Sequence, residues 1–320
     1  MINLSALDII STALPKEGTT SFLATTMTQS FTVIENALMN AGKYIHEQQS
    51  PGKAEILGIH LEGPYDNKAR AGAQPVDFIV NSSIEQFKKW NTLAKKSIKI
   101  VTLAPEQPGG IEMVKYLYEN SIIASIGHSD ATYEEVNKAI EAGAKHVTHL
   151  FNQMRGMHHR EPGVVGAAFL HDQLTAEIIL DGFHIRPEMV KLVYKQKGNK
   201  ELILITDSMR DKCLINGVYD LGGQAVTVEG GKALLQDGTL AGSTLKLGHA
   251  MKNMMHYINC SLEDAIQMAS LNPAKQLNII DRKGTISIGK DADIVISDEQ
   301  LEVVMTFCRG QLAYLQGGEH

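Results

Sequence analysis

The stretch IIASIGHSDATYEEVNKAIEAGAKHVTHLF, residues 122–151, contains one full strand–helix–strand unit. Ile122–Ile126 is short, apolar and β-branched, the composition of a strand buried on both faces. Gly127 breaks it. Ser129-Asp130-Ala131-Thr132 ahead of Glu134-Glu135 is a helix-start signal, and apolar residues then recur with a 3.6 period over Tyr133–Ala142. Gly143 stands where that helix should end. Strand character returns over His146–Phe151. A period that switches from 2 to 3.6 and back is the mark of a βαβ unit in a parallel sheet.

The same alternation runs outward in both directions. Further strands are predicted at Thr20–Thr26, Ile56–Leu61, Ile98–Leu103, Ala176–Leu180 and Leu202–Ile205. Further helices are predicted at Phe31–Glu47, Ser83–Lys96, Ile111–Asn120 and Pro187–Gln196, where Arg186-Pro187-Glu188 suits a first turn and Gly198 an end. This makes seven strands, whereas a (β/α)8 barrel needs eight. The opening helix, roughly Leu4 to Leu14, has no strand before it, so the series reads as starting one strand late. The expected fold class is α/β, a TIM-like (β/α) barrel without its first strand. Both flanking strands, Thr20–Thr26 and Leu202–Ile205, then become edges that dimerisation, swapping or local disorder should hide.

After Asp207 the pattern changes. Glycine-rich alternation over Gly217–Leu240 predicts a β-hairpin insertion near 215–240, followed by helices at Leu245–Ile258 and Leu262–Gln276. The tail returns to strands: TISI (285–288), ADIVIS (292–297), VVMTFC (303–308) and QLAYL (311–315). The expected division is a barrel over 1–280 and, over 281–320, the closing strands of a small β-sandwich.

Composition narrows the function classes. The chain has 320 residues, 43% hydrophobic and 21% charged, which is enough for a core of normal size. Thirty basic against thirty-six acidic residues, a net charge of −6, argue against a nucleic-acid partner gripped by a basic face. No apolar run is long enough to span a bilayer, and MINLSALDII carries no signal-peptide pattern. Three cysteines far apart, Cys213, Cys260 and Cys308, suit a reducing compartment, so a cytoplasmic setting is expected.

Four polar clusters fall at the C-terminal ends of predicted strands, the active-site face of a barrel. They are His60-Leu61-Glu62-Gly63-Pro64, Gly127-His128-Ser129, His146-Val147-Thr148-His149 with Asn152, and Thr206-Asp207-Ser208. Taken singly, each reads as an ordinary turn or capping residue. Together Glu62, His128 and His149 form a His₂Glu set, three protein ligands with a position left for water, as at a catalytic zinc. His146 and His149 point to opposite sides of one strand, and His149 is taken as the inward one. Asp207 suits proton transfer to and from the reacting groups. The basic loop Arg155–Gly163, with His158, His159 and Arg160, and the turn Asp181-Gly182-Phe183-His184 group cations at one mouth, which suits an anionic group such as a phosphate.

The ordered set HLEGP (60–64), GHSDAT (127–132), THLFNQM (148–154), REPG (160–163), DGFH (181–184), TDS (206–208) and LAGST (240–244) resembles the N-acetylglucosamine-6-phosphate deacetylases of the amidohydrolase superfamily. The tail GTISIGKDADIVI is similar to that superfamily's closing strands. The resemblance implies a (β/α)8 barrel with a small β-sandwich, a homodimer, and removal of acetate from the 2-acetamido group of the sugar phosphate. It implies one divalent metal on Glu62, His128 and His149, zinc first, with iron, cobalt or manganese as alternatives. It assigns proton transfer to Asp207. It implies substrate contacts from Ala73 and Gln74, Asn152 and Gln153, Arg160, Asp181, Gly182, Phe183 and His184, and Leu240, Ala241 and Gly242, with Arg160 and His184 for the phosphate.

Three features depart from the family pattern. The first strand with its His-x-His pair is not in this sequence. Gln153 stands where alanine is usual, and Gln74 where some relatives have histidine. A non-catalytic relative that only binds sugar phosphate, or assembles with a partner, is therefore the competing expectation.

Overall fold

The computed structural model describes residues 4–47 and 49–318. Helix α1 (Leu4–Ala13) opens the chain. There follow β1 (Ser21–Thr25), α2 (Phe31–Glu47), β2 (Glu55–Glu62), α3 (Ile84–Leu93), β3 (Ile98–Leu103), α4 (Gly110–Glu119), β4 (Ile123–Ile126), α5 (Tyr133–Glu141), β5 (His146–Val147), α6 (Gly163–Leu170), β6 (Thr175–Ile179), α7 (Pro187–Lys197) and β7 (Leu202–Ile205). The seven strands pair in parallel, each with the next, in the order β1 to β7. Registers such as Ile100↔Ile123 and Ile178↔Leu204 hold their C-terminal ends at one face. Ile59, Leu61, Val101, Ile126, Val147, Ile178 and Leu204 are buried in one continuous core with the helices' inner faces. This is the part of a TIM-like fold that the alternating pattern implied.

Local signals act where the sequence places them. Thr132 caps α5 through a reciprocal box with Glu135, an arrangement worth about 1 kcal/mol. Pro187 fills the first turn of α7, and Gly198 ends it at φ +62°. β1 and β7 share no pairing among the described residues. On the β7 side a side chain meets the open edge: Asn272 Nδ2 donates to Leu202 O and Asn199 O, both at 2.7 Å.

The insertion forms a separate antiparallel sheet of β8 (Gly217–Leu221), β9 (Gln224–Glu229) and β10 (Lys232–Leu234). Its inner face has its own small core of Met209, Val226, Val228, Ala233 and Ala241. Two side-chain bonds pin it to the barrel rim: Gln224 Nε2 to Ala73 O at 2.7 Å and Gln29 Nε2 to Gly222 O at 2.6 Å. Helix α8 (Leu247–Ile258) follows. α9 (Leu262–Ile266) then runs through a π turn at Gln267–Leu271 into α10 (Asn272–Gln276). The tail forms a second antiparallel sheet of β11 (Ile294–Ser297), β12 (Val303–Cys308) and β13 (Gln311–Leu315).

Three expectations are corrected. The strand predicted over His146–Phe151 pairs only at His146–Val147, because the backbone then turns, with His149 at φ +30° and Phe151 at φ +79°. TISI is not a strand: Ile286 and Ile288 are exposed, at 82% and 107%, and no described neighbour offers them a ladder. Helix α6 lies outside the predicted set, because GVVGAAFL is apolar all round and carries no amphipathic period.

Candidate active site

Glu62 closes β2, while His128, His149 and Asp207 each lie just beyond the ends of β4, β5 and β7. The last three occupy left-handed backbone, at φ +48°, +30° and +47°. Such conformations cost of order 1–3 kcal/mol each for a residue with a Cβ, and they persist only where the surrounding fold imposes them. Here the strand ends are fixed by the sheet. The sharp turn after each one throws its side chain inward over the barrel mouth.

Glu62, His128 and His149 converge. His128 Nε2 and His149 Nε2 lie 3.2 and 3.3 Å from the same oxygen, Glu62 Oε1, and 3.2 Å from each other. All three residues are buried. The two rings meet edge to face, with centroids 4.9 Å apart at 84°. A triangle with these sides is one face of a tetrahedron whose centre is about 2.0 Å from each corner, the zinc–nitrogen and zinc–oxygen bond length. The donor set therefore fits a divalent transition metal.

Second contacts orient the donors. His128 Nδ1–H donates to Arg70 O at 2.9 Å, which fixes the ring with Nε2 turned toward Glu62 and His149. Arg70 in turn binds Asp130 Oδ1 through Nε and a terminal nitrogen, at 2.8 and 2.6 Å. Burial works against the Glu62 carboxylate, yet hydrogen bonds from the two imidazoles hold its pKa well below the usual range. Burial also opposes charge on His128, but the carboxylates of Asp66 and Glu62 overcome it and lift the pKa to about 9. For Asp207, burial raises the pKa and the charge of Glu62 raises it further, while His149, His184 and His128 pull it down. Asp207 is thus electrically coupled to the whole triad.

The other predicted positions have contacts of their own. The Gln74 side chain is anchored, its Oε1 accepting from Thr28 N at 2.7 Å, so its amide nitrogen is the end left to donate. The Gln153 side chain lies over Gly72, where an added Cβ would come within 2.6 Å of it. The Gln153 side chain thus packs on the turn that leads into Ala73 and Gln74. Asn152 Nδ2 reaches back to His149 O and Leu150 O, at 3.3 Å each, and closes the turn that carries His149. Asp181 folds its own loop, accepting from Phe183 N, His184 N and His184 Nδ1 at 2.7–2.9 Å, so His184 Nε2 faces outward from that pair. Gly182 takes φ +82° in that loop. Lys232 of β10 stands 4.8 Å over the Phe183 ring. Leu240, Ala241 and Gly242 are carried to Asp207 by the next residue, Ser243, whose N–H donates to Asp207 O at 2.8 Å.

The basic loop is less uniform than its composition suggests. Arg155 is committed to Asp130, with contacts of 2.7 Å to its carboxylate and its carbonyl. Arg160 is exposed and contacts the His159 ring at 2.7 Å, with no acidic partner among the described residues. His146 does not join the triad. It is buried below it, with Nδ1 2.9 Å from Ser125 Oγ.

Sequence reasoning missed Thr28, Asp66, Arg70 and the polar interior beneath the triad. Asp66 is buried beside His128, with Oδ2 accepting from Thr28 Oγ1 at 2.8 Å and Oδ1 unpaired. The available signal was a polar residue at an inward position of an otherwise apolar strand, as at His60, Thr102, Ser125 and Glu177.

Known proteins resemble this chain over most of its length. The amidohydrolase family profile matches residues 5–313. N-acetylglucosamine-6-phosphate deacetylase of Bacillus subtilis is 52% identical over 314 residues, covering 98% of this chain and 79% of the relative. The crystal structure of N-acetylglucosamine-6-phosphate deacetylase from Thermotoga maritima matches with a TM-score of 0.91 at 37% identity, covering 97% of this chain and 83% of that one. An aspartate-to-alanine mutant of the Mycobacterium smegmatis enzyme, solved with N-acetyl-D-glucosamine-6-phosphate, matches with a TM-score of 0.89 at 28% identity, covering 95% of this chain and 79% of that one. The chain belongs to the amidohydrolase family, whose members are metal-dependent.

Proposed function

We propose that this amidohydrolase removes the acetyl group from N-acetyl-D-glucosamine 6-phosphate, giving D-glucosamine 6-phosphate and acetate. The observation that carries the reading is the tetrahedral face formed by Glu62, His128 and His149 beside the coupled carboxyl of Asp207. These three residues would hold one divalent metal. Zinc is the first choice, because two imidazoles and a carboxylate with an open position are a common catalytic zinc set. Iron, cobalt and manganese share the chemistry, and affinity order does not choose among them. Such a metal supplies Lewis acidity, lowering the pKa of water and polarising the amide carbonyl.

The remaining work falls to the chain. Asp207 accepts a proton from the attacking water and delivers it to the departing amine nitrogen. A carboxyl pushed up by burial is a better base in the first step and a usable acid in the second. Gln74, Asn152 and Gln153 line the sugar side. Arg160 and the outward nitrogen of His184 bind the phosphate in this reading, with the backbone at Ala73, Gly182, Phe183 and Leu240–Gly242 completing the contacts. Three free cysteines support a cytoplasmic setting, and no described helix is long and apolar enough to cross a membrane. The working unit is taken as a homodimer, which sedimentation checks.

A substrate panel tests the proposal. Acetate release should be fast on N-acetylglucosamine 6-phosphate and at least about 10²-fold slower, in kcat/KM, on unphosphorylated N-acetylglucosamine, the worth of two charge-assisted contacts. Arg160→Ala should raise KM about tenfold at similar kcat. Equal rates on the two sugars would remove the phosphate reading. Tight sugar-phosphate binding without acetate release would favour a purely binding relative.

A further inference from the structure

Beneath the triad runs a chain of buried polar side chains that the proposed reaction does not use. His60 Nε2 lies 2.7 Å from Thr102 Oγ1, and Thr102 Oγ1 lies 2.7 Å from Thr148 Oγ1. Thr148 Oγ1 is 2.5 Å from Ser125 Oγ, which is 2.9 Å from His146 Nδ1. His146 Nε2 then faces Glu177 Oε1 at 3.6 Å. The Glu177 carboxyl faces the backbone N–H of His149, and the Glu177 carbonyl accepts from Leu150 N at 2.8 Å. None of these six side chains belongs to a residue more than 6% exposed. The chain crosses the sheet from β2 to β6. One end lies two residues before Glu62, and the other lies against the backbone of His149.

A parallel-sheet interior is cheapest when filled with aliphatic side chains, and buried polar networks are high-stakes substitutes that impose a unique arrangement. His149 needs such an imposition. Its φ of +30° lies outside the ordinary regions for a residue with a Cβ, and β5 has stopped pairing by that point. Glu177 meets the chain on both sides of the His149 carbonyl: its own carbonyl accepts from Leu150 N, and its carboxyl faces the N–H of His149.

We infer that Glu177, backed by His146 and Ser125, is a positioning residue that sets the His149 imidazole at the angle needed to complete the metal site. This rests on the proposed ligand set of Glu62, His128 and His149.

The test uses the full chain, stripped with a chelator and titrated with Co²⁺. Affinity is read by competition with a chromophoric chelator, and site geometry from the visible absorption of bound cobalt. The unaltered protein comes first: if it takes up no Co²⁺, the ligand assignment fails and this inference falls with it. Given binding, Glu177→Leu should weaken Co²⁺ about 10–100-fold, the usual effect of losing a group that orients a ligand, and should shift the cobalt spectrum. It should lower kcat at nearly constant KM. Glu177→Gln keeps an acceptor for the His149 N–H and should stay within about threefold of wild type. If Glu177→Leu does not fold, Ser125→Ala decides, since it removes a single oxygen. It should weaken Co²⁺ about 3–10-fold. An unchanged cobalt spectrum and affinity in the folded Leu variant, or in Ser125→Ala, would overturn the inference while leaving the ligand assignment standing.

Discussion

Strand β2 begins at Glu55 and ends at Glu62, and its two buried glutamates live under opposite conditions. Glu55 is fully matched from within the chain. Arg282 grips both of its oxygens at 2.9 and 3.0 Å, and Lys283 adds a contact at 2.8 Å. Arg282 and Lys283 also bind Asp291, at 2.7 and 2.9 Å, and Lys283 reaches Asp293. This lattice ties the base of the barrel to the start of the tail. Glu62 has no lysine or arginine partner among the described residues. One of its oxygens is shared by two imidazoles that crowd each other at 3.2 Å. Buried charges here are of two kinds. One that the chain satisfies is architecture, and one left to two neutral-capable nitrogens is a site waiting for a partner.

The largest effects should separate the two ends. Glu62→Gln should cost turnover about 10³-fold or more, because the water loses its activation, with the thermal midpoint moving by less than about 3 °C. Glu55→Gln should do the reverse, lowering unfolding stability by about 2–4 kcal/mol as the buried Lys283 loses a partner, with kcat/KM within about twofold. Comparable losses of activity in both variants would break the comparison. Asp207→Asn should retain the metal and lose about 10³-fold in kcat, since no group then moves the proton. Metal content, acetate release and thermal unfolding on one sample check all three.

Proton dependence sharpens the contrast. Burial opposes the Glu55 charge, but Arg282 and Lys283 hold its folded pKa below the usual 4.5. Its contribution is therefore full above 4.5 and is lost as pH falls through the lower folded value, and Glu55→Gln should flatten that acid limb of the unfolding curve. At the other end, His128 of the metal-free protein is raised to about 9 from 6.5. The stability it adds is full below 6.5 and is lost as pH rises through about 9. A metal needs the neutral imidazole, so binding at about pH 7 should release about one proton, and affinity should tighten up to about pH 9. Calorimetry in buffers of different ionisation enthalpy reads that proton. The smallest effect is at Gln153, whose replacement by alanine should change KM by less than about fivefold, because Asn152 still closes its turn and the Gly72 backbone stays in place.

Much of this was legible in the sequence. Seven strand positions follow from the alternation of apolar runs and helical periods, because parallel strands buried on both faces have few other ways to be written. Glu62, His128, His149 and Asp207 stand out because each interrupts an apolar strand at the same end. What remained hidden was backbone. No propensity announces that His128, His149 and Asp207 adopt positive φ, since that strain is imposed by packing rather than encoded in residue type. The same turn at His149 makes β5 end at Val147, short of the predicted Phe151. Arg155 was indistinguishable from Arg160 by composition, and only the placement of Asp130 shows which of them is neutralised.

The most direct test of the account is acetate release from N-acetylglucosamine 6-phosphate by the purified chain before and after metal removal, with metal counted on the same sample. The account predicts about one divalent metal per chain, loss of release on chelation and return when that one equivalent is restored. Release that persists undiminished in fully metal-free protein would contradict it, as would one bound metal per chain with no release at all.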